Sequence, residues 1–586
     1  MTNLRHLDIR DTHISEMPLQ LCQLTKLVVL TDFYVGKRNS SSIAELGPLD
    51  HLQGELCVWN LENIVGPSDA IEANLKGKRL IDKLELRWNP PIEHDSLCEH
   101  NNVLEHLRPS TNLKDLGIFF FPGVRFPNWL GDHCFSNLST LSLTRGRYCT
   151  ELPPLGQLQS LKELSISGFD RIVAVGPELY GNCSSSKKAF ASLQKLKISK
   201  MTQLQLLMPP TDGGKCQAFP LLRELHMEDC PKLKRILPDY CLPSLTVLET
   251  TGRVDSFPRA PSIYVFRFAD SSRLEKLPTG LYKLEVKGFS YTMDTLLKAL
   301  EGLGCSDSTL QSVVVDGCNE IQCFPSGRFE NLSHLVVRDC LHFEECFCGD
   351  GEGSLASLHS LRILQCHIFF AFPEGGLAAP NLRVLELHDT TALELLPKHM
   401  HSLLPSLVEL RLLSCTKLKS FPEGGLPSTI EKLEILWCHE LESSPEGGFP
   451  SNLKELTISN CDKLVADRNC WGLRTLPSLS SLYLSNCEGV ESFPEETLLP
   501  SSLASLCLSF FPQLKSLDYK GLQHLSSLQE LKLSSCWGLH SLSEEVLPSS
   551  IKYLQLFNCY LRLTERCQKN GADWHKISHI PKIEIL

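Results

Sequence analysis

The sequence has no surplus of basic residues, no long apolar run and no nucleotide-binding loop, and each absence removes a class of function. Lys and Arg number 57 against 68 Asp and Glu, giving a net charge of −11 and a pI of about 6.0. General nucleic-acid and acidic-membrane binders need a basic surface, so neither partner is expected. No segment approaches the roughly 18 apolar residues of a membrane span. The opening MTNLRHLDIRDTHISEMP has neither the basic nor the apolar region of a signal peptide. The expected compartment is therefore reducing, cytoplasmic or nucleocytoplasmic, and the 25 cysteines are expected to be thiols, with no disulfide framework. The sequons at Asn39, Asn137, Asn182 and Asn331 are then chance matches.

Catalytic constellations are also missing. No G-x-S-x-G elbow or distinctive carboxylate pair occurs. HELES at His439 has Ser443 where a metalloprotease helix needs its second histidine. Cys340, His342, Cys346 and Cys348 could together offer zinc three sulfurs and a nitrogen. The C-x-C spacing is short, however, and Cys340 already has a place in the repeat described next, so the turn is read as structural. No enzyme, cofactor, metal or catalytic residue is expected.

What the chain does contain is self-similarity. From Leu418 it reads LKSFPEGGLPSTIEKLEILWCHELESSPEGGFPSNLKELTISNCDKLV, nearly the same phrase twice. The pattern L-x-x-L-x-L-x-x-C recurs as Leu407-Leu410-Leu412-Cys415, Ile430-Leu433-Ile435-Cys438 and Leu453-Leu456-Ile458-Cys461, and continues to Cys487, Cys536 and Cys559. Upstream copies place Cys230, Cys318 and Cys340 in the same slot. Further units beginning at Leu4, Ile81, Leu113, Leu138, Leu161, Leu193, Leu281, Leu361, Leu382 and Leu503 lack the cysteine, for about twenty units in all. The spacing fits a leucine-rich repeat. The second and third apolar residues lie two apart and so face one side of a short strand. A strand this short gains stability only when stacked on its neighbours. Cysteine suits the buried turn that follows, being small and a weak donor. The expected fold is an α/β leucine-rich-repeat solenoid. A curved parallel sheet forms its concave face, mostly loops and 3₁₀ turns its convex face, and helices are few. Phe-Pro pairs such as Phe421-Pro422 and the Gly-Gly pairs extend and bend the return path.

Six regions are expected: truncated first repeats at 1–35, an irregular region with a short helix at 36–110, repeats at 111–251, degenerate repeats at 252–300, regular cysteine-type repeats at 301–560, and a C-terminal cap at 561–586. The short helix is placed at Asp69 to Lys76 and a strand at Leu84 to Trp88. A first repeat without a polar cap reads as a cut through a longer solenoid.

Binding would use the residues that alternate with the core and point outward. These include Glu409, Arg411 and Leu413, then Lys432, Glu434 and Leu436, then Tyr483, Lys532, Tyr553, Gln555 and Phe557, with Phe119, Glu224, His226 and Glu228 upstream. Leu413, Leu436, Arg411, Glu434, Tyr483, Tyr553 and Phe557 are the protein-binding candidates, because apolar, aromatic and Arg residues anchor interfaces. Leu413 and Leu436 hold the same position in adjacent repeats and should touch.

Three blocks resemble the leucine-rich-repeat part of plant intracellular disease-resistance receptors of the coiled-coil nucleotide-binding type. They are AELGPLDHLQGELCVWNLENIVGPSDAIEANLKGKRLIDKLELRW (44–88), ELPPLGQLQSLKELSISGFDRIVAVGPELYG (151–181) and AFPLLRELHMEDCPKLKRILPDYCLPSLTVL (218–248). The family's ATP switch would need G-x-x-x-x-G-K-[ST]. Gly214-Lys215 has Pro209 and Cys216 at the flanking positions, and Gly77-Lys78 has Glu72 and Arg79. The resemblance implies the sensing and autoregulatory module of an immune receptor. Its implied partners are a pathogen effector or guarded host protein, and the nucleotide-binding domain of a fuller receptor. A substrate-recognition subunit of a ubiquitin ligase and a secreted repeat receptor or inhibitor are alternatives on the same fold. The first would need an adaptor-binding helical domain, the second a signal peptide and L-x-G-x-I-P repeats, and these features are not seen.

Overall fold

Each apolar triplet becomes one rung because two of its members share a strand face. Leu410 and Leu412 sit in the strand Glu409–Leu413, Leu433 and Ile435 in Lys432–Leu436, and Leu456 and Ile458 in Glu455–Ser459. All six are 1% exposed or less. The computed structural model describes residues 3–37, 40–90, 99–181, 188–210, 217–251, 254–269, 281–288, 309–325, 329, 331–348, 355–542 and 545–586, except the side chains of 99–102, 325 and 348.

The described residues fall into two compact units, one ending at Tyr282 and one starting at Lys283. In the first unit ten main strands run from Asp32–Tyr34 to Val265–Ala269. In the second, thirteen run from Lys283–Lys287 to Lys582–Ile585. Within each unit the pairings are parallel, and like positions of successive rungs lie side by side, as in Leu410↔Leu433 and Leu433↔Leu456. Each unit is thus a leucine-rich-repeat solenoid.

The turn that ends each strand has its own chemistry. The residue before the ladder slot adopts a left-handed backbone in rung after rung: Asp229, Gly317, Asp339, Asp389, Ser414, Asn460, Asn486 and Asn558 all have φ between 48° and 65°. Short polar side chains and glycine tolerate this conformation best. Its N–H then donates to the last strand carbonyl of the next rung, as from Ser414 to Leu436 at 2.8 Å and from Trp437 to Ser459 at 2.9 Å. The cysteine that follows turns inward. Its thiol donates back to the preceding rung, from Cys438 to the Leu412 carbonyl and from Cys461 to the Ile435 carbonyl, both at 3.6 Å. Each turn therefore bonds forward through its backbone and backward through its sulfur.

The return path is mostly turns, with short 3₁₀ segments such as Leu155–Gln157 and Leu473–Thr475. Two-residue strands also pair there, Ala174–Val175 with Leu206–Leu207 and Ser492–Phe493 with Ser516–Leu517.

Several local expectations shift. The helix near Asp69 spans Pro67–Glu72, with Pro67 opening it and a 3₁₀ turn at Leu75–Gly77 following, and the next strand is longer, Leu80–Arg87. The unit assigned to start at Leu361 begins at Leu358, so its strand is Ser360–Leu364 and Cys366 fills the buried slot. The stretch 252–300 contributes the strands Val265–Ala269 and Lys283–Lys287. In the tail, helices Leu561–Arg566 and Trp574–Ile577 precede a further rung, Lys582–Ile585, paired with Tyr553–Phe557. Cys323 is disulfide-bonded, an exception to the expected thiols. Among the described residues no helix is long and apolar enough to cross a membrane.

Candidate functional site

In the second unit the outward residues of successive rungs form columns because these strands pair without slippage. The central column of the second unit runs Glu386, Arg411, Glu434, Thr457, Tyr483, Cys507, Lys532, Gln555 and Glu584. The column beside it runs Leu364, His388, Leu413, Leu436, Ser459 and on to Phe557.

Leu413 and Leu436 are register partners, and both are half-buried. Next to them is a continuous ion-pair network. Arg411 meets Glu409 at 2.7 Å, Glu434 at 3.4 Å and Glu386 at 3.8 Å. Lys432 meets Glu434 at 3.0 Å, and Glu409 and Glu455 at longer range. The hydrogen bond to Glu434 comes first among the causes that raise the Lys432 pKa above the ordinary lysine value. Arg411 and Glu434 therefore compensate one another, and the leucine pair is the apolar feature they flank.

The other candidates lie farther along. Tyr483 is half-buried between Thr457 and Cys507. Tyr553 and Phe557 share the strand Tyr553–Phe557. The Tyr553 hydroxyl donates to Glu584 at 2.6 Å, and Lys582 lies 4.6 Å over its ring. Phe557 is 49% exposed. These residues are not gathered with the leucine pair.

The ladder cysteines stack behind the face. Cys230, Cys318, Cys340, Cys415, Cys438, Cys461, Cys487 and Cys536 are fully buried, and Cys559 is half-buried. Burial pushes the Cys318 and Cys487 thiols up to about 12. Cys415, Cys461 and Cys559 move the other way, each lowered first by hydrogen bonding with a neighbouring ladder thiol, Cys559 to about 7. The weighed zinc quartet does not converge among the described residues. Cys340 donates inward to the Arg338 carbonyl, whereas His342 is exposed and bonded to the Asn319 carbonyl. The side chain of Cys348 lies outside the described residues.

In the first unit His226 is 8% exposed, with Glu249 2.9 Å from Nδ1 and Glu224 3.1 Å from Nε2. The Glu249 contact leads the causes that raise its pKa. Glu228, on the same strand, pairs with Lys197 at 2.7 Å, and Phe119 lies over the Arg87 guanidinium at 3.8 Å.

Sequence reasoning missed two groups. Trp437 and Phe510, 45% and 46% exposed, occupy the left-handed turn position that most cysteine rungs fill with Asp, Asn, Ser or Gly. Bulk at that position was the available signal. The second group lies on the first rungs. Trp59 stacks on Tyr34 with ring centroids 5.8 Å apart, and Arg87 lies 4.7 Å over the Trp59 ring. The longer strands Gln53–Trp59 and Leu80–Arg87 blur the repeat there.

Comparison with known proteins finds similarity to plant leucine-rich repeats. Residues 43–169 match the family model for R13L1/DRL21 leucine-rich repeats. Residues 127–251 match that for the leucine-rich repeats of RPS2-like plant disease resistance proteins. Three similar proteins carry disease resistance names. RPP13-like protein 1 of Arabidopsis thaliana is 30% identical over 63% of this chain and 30% of its own length. At3g14460 of the same plant is 28% identical over 95% of this chain and 52% of its own length. RGA2 of Solanum bulbocastanum is 30% identical over 44% of this chain and 27% of its own length. The chain thus spans about half the length of these relatives, or less. Among solved structures, the TLR13–ssRNA13 complex aligns over 100% of this chain and 90% of its own at 14% identity, TM-score 0.37. The RP105/MD-1 complex from mouse aligns over 95% and 90% at 13% identity, TM-score 0.41.

Proposed function

We infer that this chain, a leucine-rich-repeat protein of the plant disease resistance kind, binds another protein across the outward face of its sheet. The observation that carries the reading is the half-buried Leu413–Leu436 pair bordered by compensated charges. An apolar centre with a polar rim is the anatomy of a protein interface, and the register of the strands holds it rigid.

In a defence role the bound protein is a pathogen effector or a host protein that effectors alter, inside the cytoplasm. Where the chain is joined to, or meets, a nucleotide-binding domain, the same face or an adjoining one restrains that domain until a ligand favours the released state. The resemblance to disease resistance proteins supports this second half of the reading, and the sheet supports the first.

Hydrogen–deuterium exchange on the full chain tests it, with and without an effector or guarded protein that co-precipitates with it. Protection at Glu409–Leu413 and Lys432–Leu436 is expected. Protection confined to the return-path turns would overturn the assignment of the face.

A further inference from the structure

The first rungs hold a buried acid with an unused oxygen. Asp32 stands at the start of the strand Asp32–Tyr34, in register with Cys57 of the next rung, and is 6% exposed. Its Oδ1 accepts from the Trp59 indole at 2.8 Å, while its Oδ2 is buried with no hydrogen-bond partner. Native proteins rarely leave a buried polar atom unpaired, and each case asks for an explanation.

The surroundings supply one. Asp32 lines a recess of about 160 Å³ in the outward face together with Arg10, Thr31, Glu55, Trp59 and Glu85. This recess shares Arg10, Thr31 and Glu55 with a wider one of about 670 Å³. The cations nearby are already engaged. Arg10 pairs with Asp8 at 2.6 Å, Arg87 with Glu85 at 2.6 Å, and Lys83 stands 3.4 Å from Glu85 and 3.8 Å from Glu55. Asp8, Asp32, Glu55 and Glu85 thus face three cations. Glu55, 61% exposed at its side chain, has only the longest of these contacts. Both faces of the Trp59 ring are covered, by Tyr34 and by Arg87, so its edge is what orients Asp32.

We propose that this recess is a subsite for an arginine side chain presented by a protein partner, with Asp32 Oδ2 and Glu55 as its acceptors. A charge-assisted hydrogen bond is the stronger way to satisfy a buried carboxylate oxygen. The guanidinium is planar, forks toward two acceptors and is more weakly hydrated than an ammonium group. The entering cation also offsets the local excess of negative charge. This subsite rests on the outward face being the binding face, and it names the partner's chemistry at one end of it.

The probe is N-acetyl-argininamide, titrated into the full chain labelled with ¹⁵N at the tryptophan indoles. Trp59→Phe identifies the Trp59 signal. A saturable shift of that signal is expected, at least tenfold weaker in affinity in Asp32→Asn, which keeps an oxygen for the indole bond. Glu55→Gln, remote from the core, should weaken binding by a smaller factor. N-acetyl-citrullinamide, neutral and of like shape, should not shift the signal. An equal response to the citrulline compound, an unchanged affinity in Asp32→Asn, or no saturable shift in the wild-type chain would each overturn the proposal. Those results would leave the exchange experiment on the leucine pair untouched, so the two readings fail separately.

Discussion

Cys559 differs from its ladder neighbours in exposure. It is half-buried where they are sealed, and the neighbouring Cys536 thiol leads the causes that lower it to about 7. The thiolate is the reactive form, so its alkylation by iodoacetamide should rise as pH passes upward through 7. Cys149, pushed to about 12 by burial, should stay unmodified in the folded chain. Mass spectrometry of the alkylated peptides reads both. The recurrent cysteines were legible because one residue type kept one slot. The accessibility of Cys559 was not, since it depends on where the column of thiols ends. For the binding face, Leu436→Glu should abolish partner binding while leaving the far-ultraviolet circular dichroism and unfolding midpoint nearly unchanged. A large loss of stability would mean that Leu436 belongs to the core.

At the scale of one rung, the apolar triplet fixes the strand and the following turn fixes its end. Leu456→Ala removes a side chain that is 1% exposed and should cost about 2–5 kcal/mol in equilibrium unfolding. Gly317 has φ 65° and open space where a Cβ would sit. Gly317→Val should therefore cost roughly 1–2 kcal/mol through backbone strain alone, and Gly317→Asn clearly less. The strands were readable wherever Leu and Ile kept their spacing. They were lost where other residues did the same work, as with Phe266 and Phe268 in Val265–Ala269, both 2% exposed or less. The unit at Leu358 was misplaced by three residues because Leu358, Leu361 and Leu364 offer two overlapping frames. The structure chooses the frame that buries Leu361 and Ile363. In the tail, Ile583 and Ile585 alternate as a strand requires, but only two such residues remain to signal it. The left-handed residue before most ladder cysteines was a second repeat signal, carried by Asp, Asn, Ser and Gly, whose shared property is conformational.

Across the whole chain, contacts run from rung to next rung, so stability should be set locally. Denaturation followed at Trp88, in the first unit, and at Trp471, in the second, should give different midpoints, each broader than a single cooperative domain of 586 residues would show. Fluorotryptophan signals would report them separately, and coincident sharp transitions would contradict the expectation. Strict register within the second unit has another effect. Every outward residue has an address, given by its rung and its column, and neighbouring addresses lie about 4.8 Å apart along the array. Core, turn and thiol residues keep that grid in place without appearing on it. A substitution at one address rewrites a single character of the surface, and the insertion or loss of a whole rung shifts all later characters by one line. Recognition can therefore be edited letter by letter or line by line while the page that carries it stays the same.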